Sequence, residues 1–319
     1  MTTLPPVQRP HVQAAQALIA EHVRRTPLID AEHELFGVAA SVSLKLELLQ
    51  HTGSFKPRGA LHRALTSDIP DAGLIAASGG NHGIAVAWVA KRLGVRAEIF
   101  VPEISPPAKV AKLHDLGATV HVGGARYDDA AAQCRARQTE TGALDIHAYD
   151  HPATLAGTGT IGYEIDDALA RQARTAPDTV LVSLGGGGLA AGLAAWYRPT
   201  ATKVVTVEPE RSQCYAAAVS AGEPVEVEVD GIAADSLGAR RIGDVAWAAL
   251  RAANCEPVVV TDDNIRDAQR RFYATYGLVV EPGGAAAAAA LWSGSYLPVA
   301  GETVAVVVCG TNCDPSSVI

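Results

Sequence analysis

The chain predicts an α/β fold of mostly parallel sheets flanked by helices, and three observations carry that prediction. Short apolar, β-branched runs alternate with longer stretches whose apolar residues recur at helical spacing. Glycine-rich turns stand where strand passes to helix, the punctuation of a parallel sheet with helices on both faces. A length of 319 residues suggests roughly two domains.

In chain order, strand-like runs cover 42–46, 74–77, 97–101, 119–122, 179–184, 204–207, 257–261 and 304–308. Between them, helical spacing spans 82–93, 108–116, 127–137, 155–173 and 263–275. A further helix is expected over 189–196, directly after four glycines. The run 285–290, all alanine, reads as a tightly packed helix whose small side chains let neighbours approach. No linker or charge block divides the chain. Residues 72–149 could form a small sheet of their own, nested in a larger discontinuous domain made of 1–71 and 150–319.

Composition narrows the partners. With 26 Lys plus Arg against 34 Asp plus Glu, the net charge of −8 argues against nucleic acid or an anionic membrane. No apolar run approaches the ~18 residues of a membrane span, and the first residues lack a secretory pattern. The cysteines are five, an odd number, and scattered, so they form no disulfide framework. A cytoplasmic, soluble protein is expected.

Four glycine-rich segments hold the residues with chemical potential. The first is Thr52-Gly53-Ser54-Phe55-Lys56-Pro57-Arg58-Gly59. A partly buried lysine there would have a depressed pKa and serve as nucleophile, Schiff-base former or general base. Taken alone, a solvated turn lysine is the plainer reading. The second, Ser78-Gly79-Gly80-Asn81-His82-Gly83, exposes successive backbone N–H groups suited to a carboxylate or phosphate. It is neither a G-x-G-x-x-G fingerprint nor a Walker loop, and His82 and Asn81 alone would read as packing and capping residues. The third, Gly185 to Gly188, costs more backbone entropy than a plain turn warrants. Its benefit is close approach to an anion at the positive end of a helix. The fourth, Cys309-Gly310-Thr311-Asn312, closes the last strand and points at the same crevice; a buried cysteine before a turn is an equal alternative.

In identity, order and spacing, S-F-K-P-R-G, S-G-G-N-H-G, the tetraglycine and C-G-T-N resemble the pyridoxal-phosphate-dependent serine/threonine dehydratase family. The resemblance runs from about Arg25 to Asn312, nearly the whole chain. The related cysteine and threonine synthases usually carry Asn-Thr where this chain has Asn81-His82, which favours the dehydratase branch. The resemblance implies fold type II, with two open sheets and the small domain nested in the large one. It implies pyridoxal 5'-phosphate bound to Lys56 as a Schiff base, with Phe55 flanking the ring and Asn81 on the ring hydroxyl. Gly185, Gly186, Gly187, Gly188 and Leu189 would cradle the phosphate, and Cys309 would face the ring nitrogen. Ser78, Gly79, Gly80, Asn81 and His82 would receive the substrate carboxylate. The implied reaction, in a homodimer, is β-elimination of a 3-hydroxy amino acid such as L-threonine or L-serine to a 2-oxo acid and ammonia.

The chain also departs from the pattern. Members that racemise serine carry an acid/base serine where this chain has Gly79, so racemisation is not expected. Several relatives bind a cation through a Glu and an Asp. Glu208 matches the first, but Gln213 stands where the Asp would be, so a divalent or monovalent cation stays open. The segment 234–240 is expected over the substrate's β-substituent, and Glu281 either near the ring or in an ion pair. Racemisation or thiol β-replacement on the same cofactor, and a nucleotide-binding regulator without a covalent cofactor, are the competing readings. The chain stops seven residues after Asn312, so no carboxyl-terminal regulatory domain is expected.

Overall fold

A computed structural model describes residues 6–32, 34–105 and 107–318. The strands are β1 (Leu28–Asp30), β2 (Ser41–Lys45), β3 (Leu74–Ala77), β4 (Ala97–Val101), β5 (Thr119–Val122), β6 (Leu144–Asp145), β7 (Thr179–Ser183), β8 (Lys203–Pro209), β9 (Glu256–Val260) and β10 (Thr303–Val307). The helices are α1 (Arg9–Ile19), α2 (Lys56–Leu65), α3 (Asn81–Leu93), α4 (Pro107–Asp115), α5 (Tyr127–Thr141), α6 (Pro152–Arg171), α7 (Gly188–Tyr197), α8 (Cys214–Ala221), α9 (Ala234–Leu237), α10 (Asp244–Ala252), α11 (Asp262–Tyr276) and α12 (Pro282–Trp292). No described helix is long and apolar enough to cross a membrane.

Two sheets organise these elements. The larger runs β1-β2-β10-β7-β8-β9, and the smaller runs β5-β4-β3-β6. All pairings are parallel except β1 with β2. In the larger sheet β10 is central, with Val304 opposite both Val42 and Thr179. Helices cover both faces of β10, which is why Val304–Val307 reads as an unbroken apolar run rather than an alternation. On one face the fully buried alanines 285–290 of α12 pack on the sheet, and Ser183 Oγ accepts the N–H of Ala287 at 3.2 Å.

The smaller sheet uses only residues 74–145, so it is contiguous in sequence, as the run of short strands leads one to expect. β1 and β6 lack a sequence signal because three and two residues are too few to display a period. α2 begins at Lys56, where the sequence reads as a turn. Pro57 is compatible with the first helical turn, since its missing N–H would have no partner there.

Candidate active site

Three adjacent strands deliver the site. β2, β10 and β7 lie side by side and parallel, so the segments leaving their carboxyl ends emerge together. Those segments carry Lys56, Cys309 and the tetraglycine. Ser54 and Gly310 form an isolated antiparallel bridge, and the Phe55 N–H donates to Cys309 O at 3.1 Å. These contacts lock the lysine turn to the end of β10. The resulting pocket is lined by Phe55, Lys56, Asn81, Gly185 to Gly188, Leu189 and Cys309. Tyr149, Ser183, Ser236, Leu237, Glu281 and Gly283 complete its wall.

Lys56 Nζ donates to Ala148 O at 3.0 Å and lies 5.1 Å from the Phe55 ring centroid. Desolvation lowers its pKa to about 8, with Cys309 and Glu281 pulling the other way. Cys309 is 3% exposed, and its thiol donates to Gly283 O at 3.4 Å. Burial raises its pKa well above the ordinary thiol range, so it is neutral. Glu281 accepts from Asn81 Nδ2 at 2.7 Å, and burial raises its pKa to about 7. Asn81 Oδ1 in turn accepts from Asn312 Nδ2 at 2.7 Å, and Lys112 Nζ donates to Asn312 Oδ1 at 2.9 Å. Asn81 is therefore held from both ends of its amide.

The tetraglycine joins β7 to α7. Gly187, at φ +95°, is the N-cap of α7 and occupies backbone space that L side chains rarely adopt. A methyl group on Gly186 or Gly188 would run into Tyr149. The N–H groups of Gly185 through Leu189 meet no protein acceptor among the described residues. Consecutive unpaired donors at the positive end of a helix form a ready phosphate site.

Comparison with known proteins decides what this pocket belongs to. Residues 19–310 match the family described as pyridoxal-phosphate dependent enzyme. The chain belongs to that family. It is 39% identical over 312 residues to a putative threonine dehydratase of Sinorhizobium fredii, covering 95% of this chain and 91% of that one. The solved threonine deaminase of T.th. matches with a TM-score of 0.89 and 35% identity, over 96% of this chain and 99% of that one. Maize serine racemase also gives a TM-score of 0.89, at 28% identity, over 97% and 95% of the two chains.

The residues of this pyridoxal-phosphate dependent enzyme fit the cofactor on physical grounds. The unpaired N–H groups match a phosphate, and the lowered Lys56 amine matches a carbonyl partner. The neutral Cys309 matches a ring nitrogen without forcing a proton onto it.

The remaining expected site residues adjoin Asn81 or lie at the end of β8. Ser78, Gly79, Gly80 and His82 surround Asn81, and a Cβ on Gly80 would lie 3.8 Å from Asp235 O, beside the pocket residues Ser236 and Leu237. Ser78 Oγ accepts the N–H of Gly80 at 3.2 Å, and a side chain on Gly79 would meet Ser105 Oγ at 2.6 Å. His82 is buried, and its Nε2 bonds Ile146 O at 2.5 Å. Burial, aided by Lys56, pulls its pKa down to about 3. Its ring ties the loop to residue 146. Glu208, at the end of β8, is fully buried and accepts the N–H groups of Tyr215 and Ala216 at 2.7 and 2.8 Å. Those N–H groups belong to the first turn of α8. Gln213 donates to Glu210 O instead. Among the described residues no three His, Cys, Asp or Glu side chains gather around a potential cation.

Ala148, Tyr149 and Ser183 have no motif to announce them. The one available signal is their place in the chain: Ala148 and Tyr149 follow the last strand of the smaller sheet, and Ser183 ends β7.

Proposed function

We propose that this enzyme eliminates the β-hydroxyl of a 3-hydroxy amino acid, L-threonine or L-serine, releasing a 2-oxo acid and ammonia. The observation that carries this reading is the Lys56 amine, lowered to about 8, in one pocket with unpaired phosphate donors and a neutral Cys309. The dehydratase and deaminase relatives support it.

When bound, pyridoxal phosphate supplies an electron sink for the charge left on Cα after its proton departs. Gly185 to Leu189 would hold the phosphate, Asn81 the ring hydroxyl, and Phe55 the ring face. Lys56 would bind the cofactor as a Schiff base at rest and, once free, take the Cα proton at Nζ. Its lowered pKa keeps a useful neutral fraction near pH 7. Cys309 has no charge with which to hold a proton on the ring nitrogen, a setting that would favour loss of the β-hydroxyl. Overall the hydroxyl leaves with a proton as water, and a second water displaces the nitrogen as ammonia. The segment around α9 brings Ser236 and Leu237 to the pocket wall, consistent with contact to the β-substituent.

Racemisation is the second reading, favoured by the likeness to maize serine racemase. Gly79 offers no proton-bearing side chain, and the space beside it is taken by Ser105, which supports elimination as the main outcome. The same reading has residues 72–149 as a nested lobe of a cytoplasmic homodimer acting on free amino acids. An assay of both enantiomers of serine, threonine and 3-hydroxyaspartate for ammonia, 2-oxo acid and inverted amino acid tests it. We expect ammonia and 2-oxo acid from an L-3-hydroxy amino acid, and loss of both, with the cofactor's imine absorbance, in Lys56→Ala. Inversion of serine faster than ammonia release would overturn the assignment.

A further inference from the structure

The chain returning from the smaller sheet to α6 passes through residues 146–151, and several of these meet the site or its supports. Ile146 O takes the His82 ring, Ala148 O takes the Lys56 amine, and Tyr149 fills the space beside Gly186 with its ring and beside Gly188 with its backbone and Cβ. Asp150 accepts the N–H groups of Asp244 and Val245 at 3.0 and 2.8 Å, fixing the start of α10. His147 has no such assignment. Its Nδ1 accepts two backbone N–H groups, from Tyr149 at 3.3 Å and from Asp150 at 2.9 Å.

The first of those N–H groups belongs to the peptide whose other end is the Ala148 carbonyl. In a planar trans peptide the C=O and the N–H point in opposite directions. By holding the N–H, the imidazole aims the carbonyl at Lys56. We propose that His147 is a positioning residue for the catalytic amine: its neutral Nδ1 orients the 148–149 peptide so that Ala148 O receives Lys56 Nζ whenever that amine is not bonded to the cofactor. The inference rests on the reading of Lys56 as the catalytic base.

A pH dependence follows from the chemistry of the ring. With Nδ1 accepting, the hydrogen sits on Nε2, and the next proton can only go to Nδ1, turning an acceptor into a donor. The residue is exposed to solvent, so that proton has access. Desolvation on the packed side lowers the pKa from the ordinary histidine value, Asp145 and Asp150 oppose this, and Lys56 adds to it. His151 and His82 also face the ring, and Arg63 and Asp68 line the same cavity. As pH falls through the His147 pKa, the peptide is released and Lys56 loses its acceptor.

Asparagine separates this role from bulk, because its Oδ1 accepts the same i+2 and i+3 N–H groups and does not titrate. Wild type, His147→Ala and His147→Asn are loaded with cofactor and followed for ammonia release from pH 5 to 9. The same three proteins, freed of cofactor, are trace-labelled with acetic anhydride to read the titration midpoint of Lys56. In His147→Ala we expect kcat at pH 8 to fall about three- to tenfold, the equivalent of one neutral hydrogen bond, with KM little moved. We expect its Lys56 midpoint to fall below the wild-type value, since a charged amine loses an acceptor. His147→Asn should recover most of both and lack the wild-type inflection below about pH 6.5. Wild-type behaviour of His147→Ala, or equal impairment of the two variants, overturns the proposal. Should His147→Ala fail to fold, an acid limb in His147→Asn identical to wild type overturns it. If wild type releases no ammonia from any amino acid, the reaction assigned above fails, while the labelling arm still decides the role of His147.

Discussion

Two side chains at the site, the half-buried Lys56 and the buried Glu281, carry shifted charge equilibria, and the physical cause is the same. Lys56 and Glu281 both lose water, which disfavours the ion in each, lowering the amine to about 8 and raising the carboxyl to about 7. For Glu281 the sign of the stability effect is clear. Its ordinary value is 4.5, so between about 4.5 and 7 the folded chain binds a proton the unfolded chain does not. The favourable state holds below 4.5 and is lost as pH rises through 7. Glu281→Gln keeps an acceptor for Asn81 and removes the charge. Its melting temperature relative to wild type, measured without cofactor, should climb between pH 5 and 8, by the equivalent of a few kcal/mol. A difference that stays flat with pH would show that Glu281 is not desolvated as described. Lys56 was legible in the sequence because its motif is local. The protonation of Glu281 was not, because burial is a property of everything packed around it.

At the scale of elements, α2 is anchored by buried charge as well as by the apolar contacts of Ala60, Leu61 and Ala64. Arg58 is fully buried, and its guanidinium donates to Glu47 at 2.7 and 2.8 Å and to Glu164 of α6 at 2.8 and 2.9 Å. Lys45 at the end of β2 donates to Glu164 at 2.6 Å, so two cations face two carboxylates, all four side chains buried. Such a cluster adds little over a well-packed apolar one, but breaking it leaves an unpaired buried charge. Glu164→Gln should therefore cost about 3–5 kcal/mol in denaturant unfolding. A cost under about 1 kcal/mol would mean that water reaches the cluster. The α/β alternation, the helical alanine run and the tetraglycine before α7 were all readable, since period and turn chemistry are encoded within a few residues. Arg58 lies in a recognisable motif, yet its partners lie 11 and 106 residues away, beyond any local pattern.

Across the whole molecule, the smaller sheet and its helices meet the larger part around the pocket mouth. Lys109 of α4 pairs with Asp235 of α9, whose neighbours Ser236 and Leu237 line the pocket. Lys112 of the same helix donates to Thr52 O at 3.2 Å, just before the lysine turn. Asp235 is 62% exposed, so the Lys109 pair is screened and modest. Lys109→Ala should raise KM about two- to fivefold with kcat nearly intact, an effect of the size of an exposed ion pair. Wild-type KM should rise with salt in the same direction, and a KM indifferent to both changes would remove the pair from any part in closing the mouth. The order of strands explains what could and could not be read in advance. Residue identity alone determined the alternating elements, the tetraglycine before a helix and the lysine in its own glycine-flanked turn, because each depends on backbone conformation and neighbours close in the chain. Only the tertiary structure decided that β2, β10 and β7 lie adjacent, that Tyr149 joins the pocket wall while Ala148 O receives Lys56, and that His82 Nε2 and the Glu208 carboxylate bond backbone groups. Those facts depend on which distant segments displace water from one another, and covalent spacing does not record that.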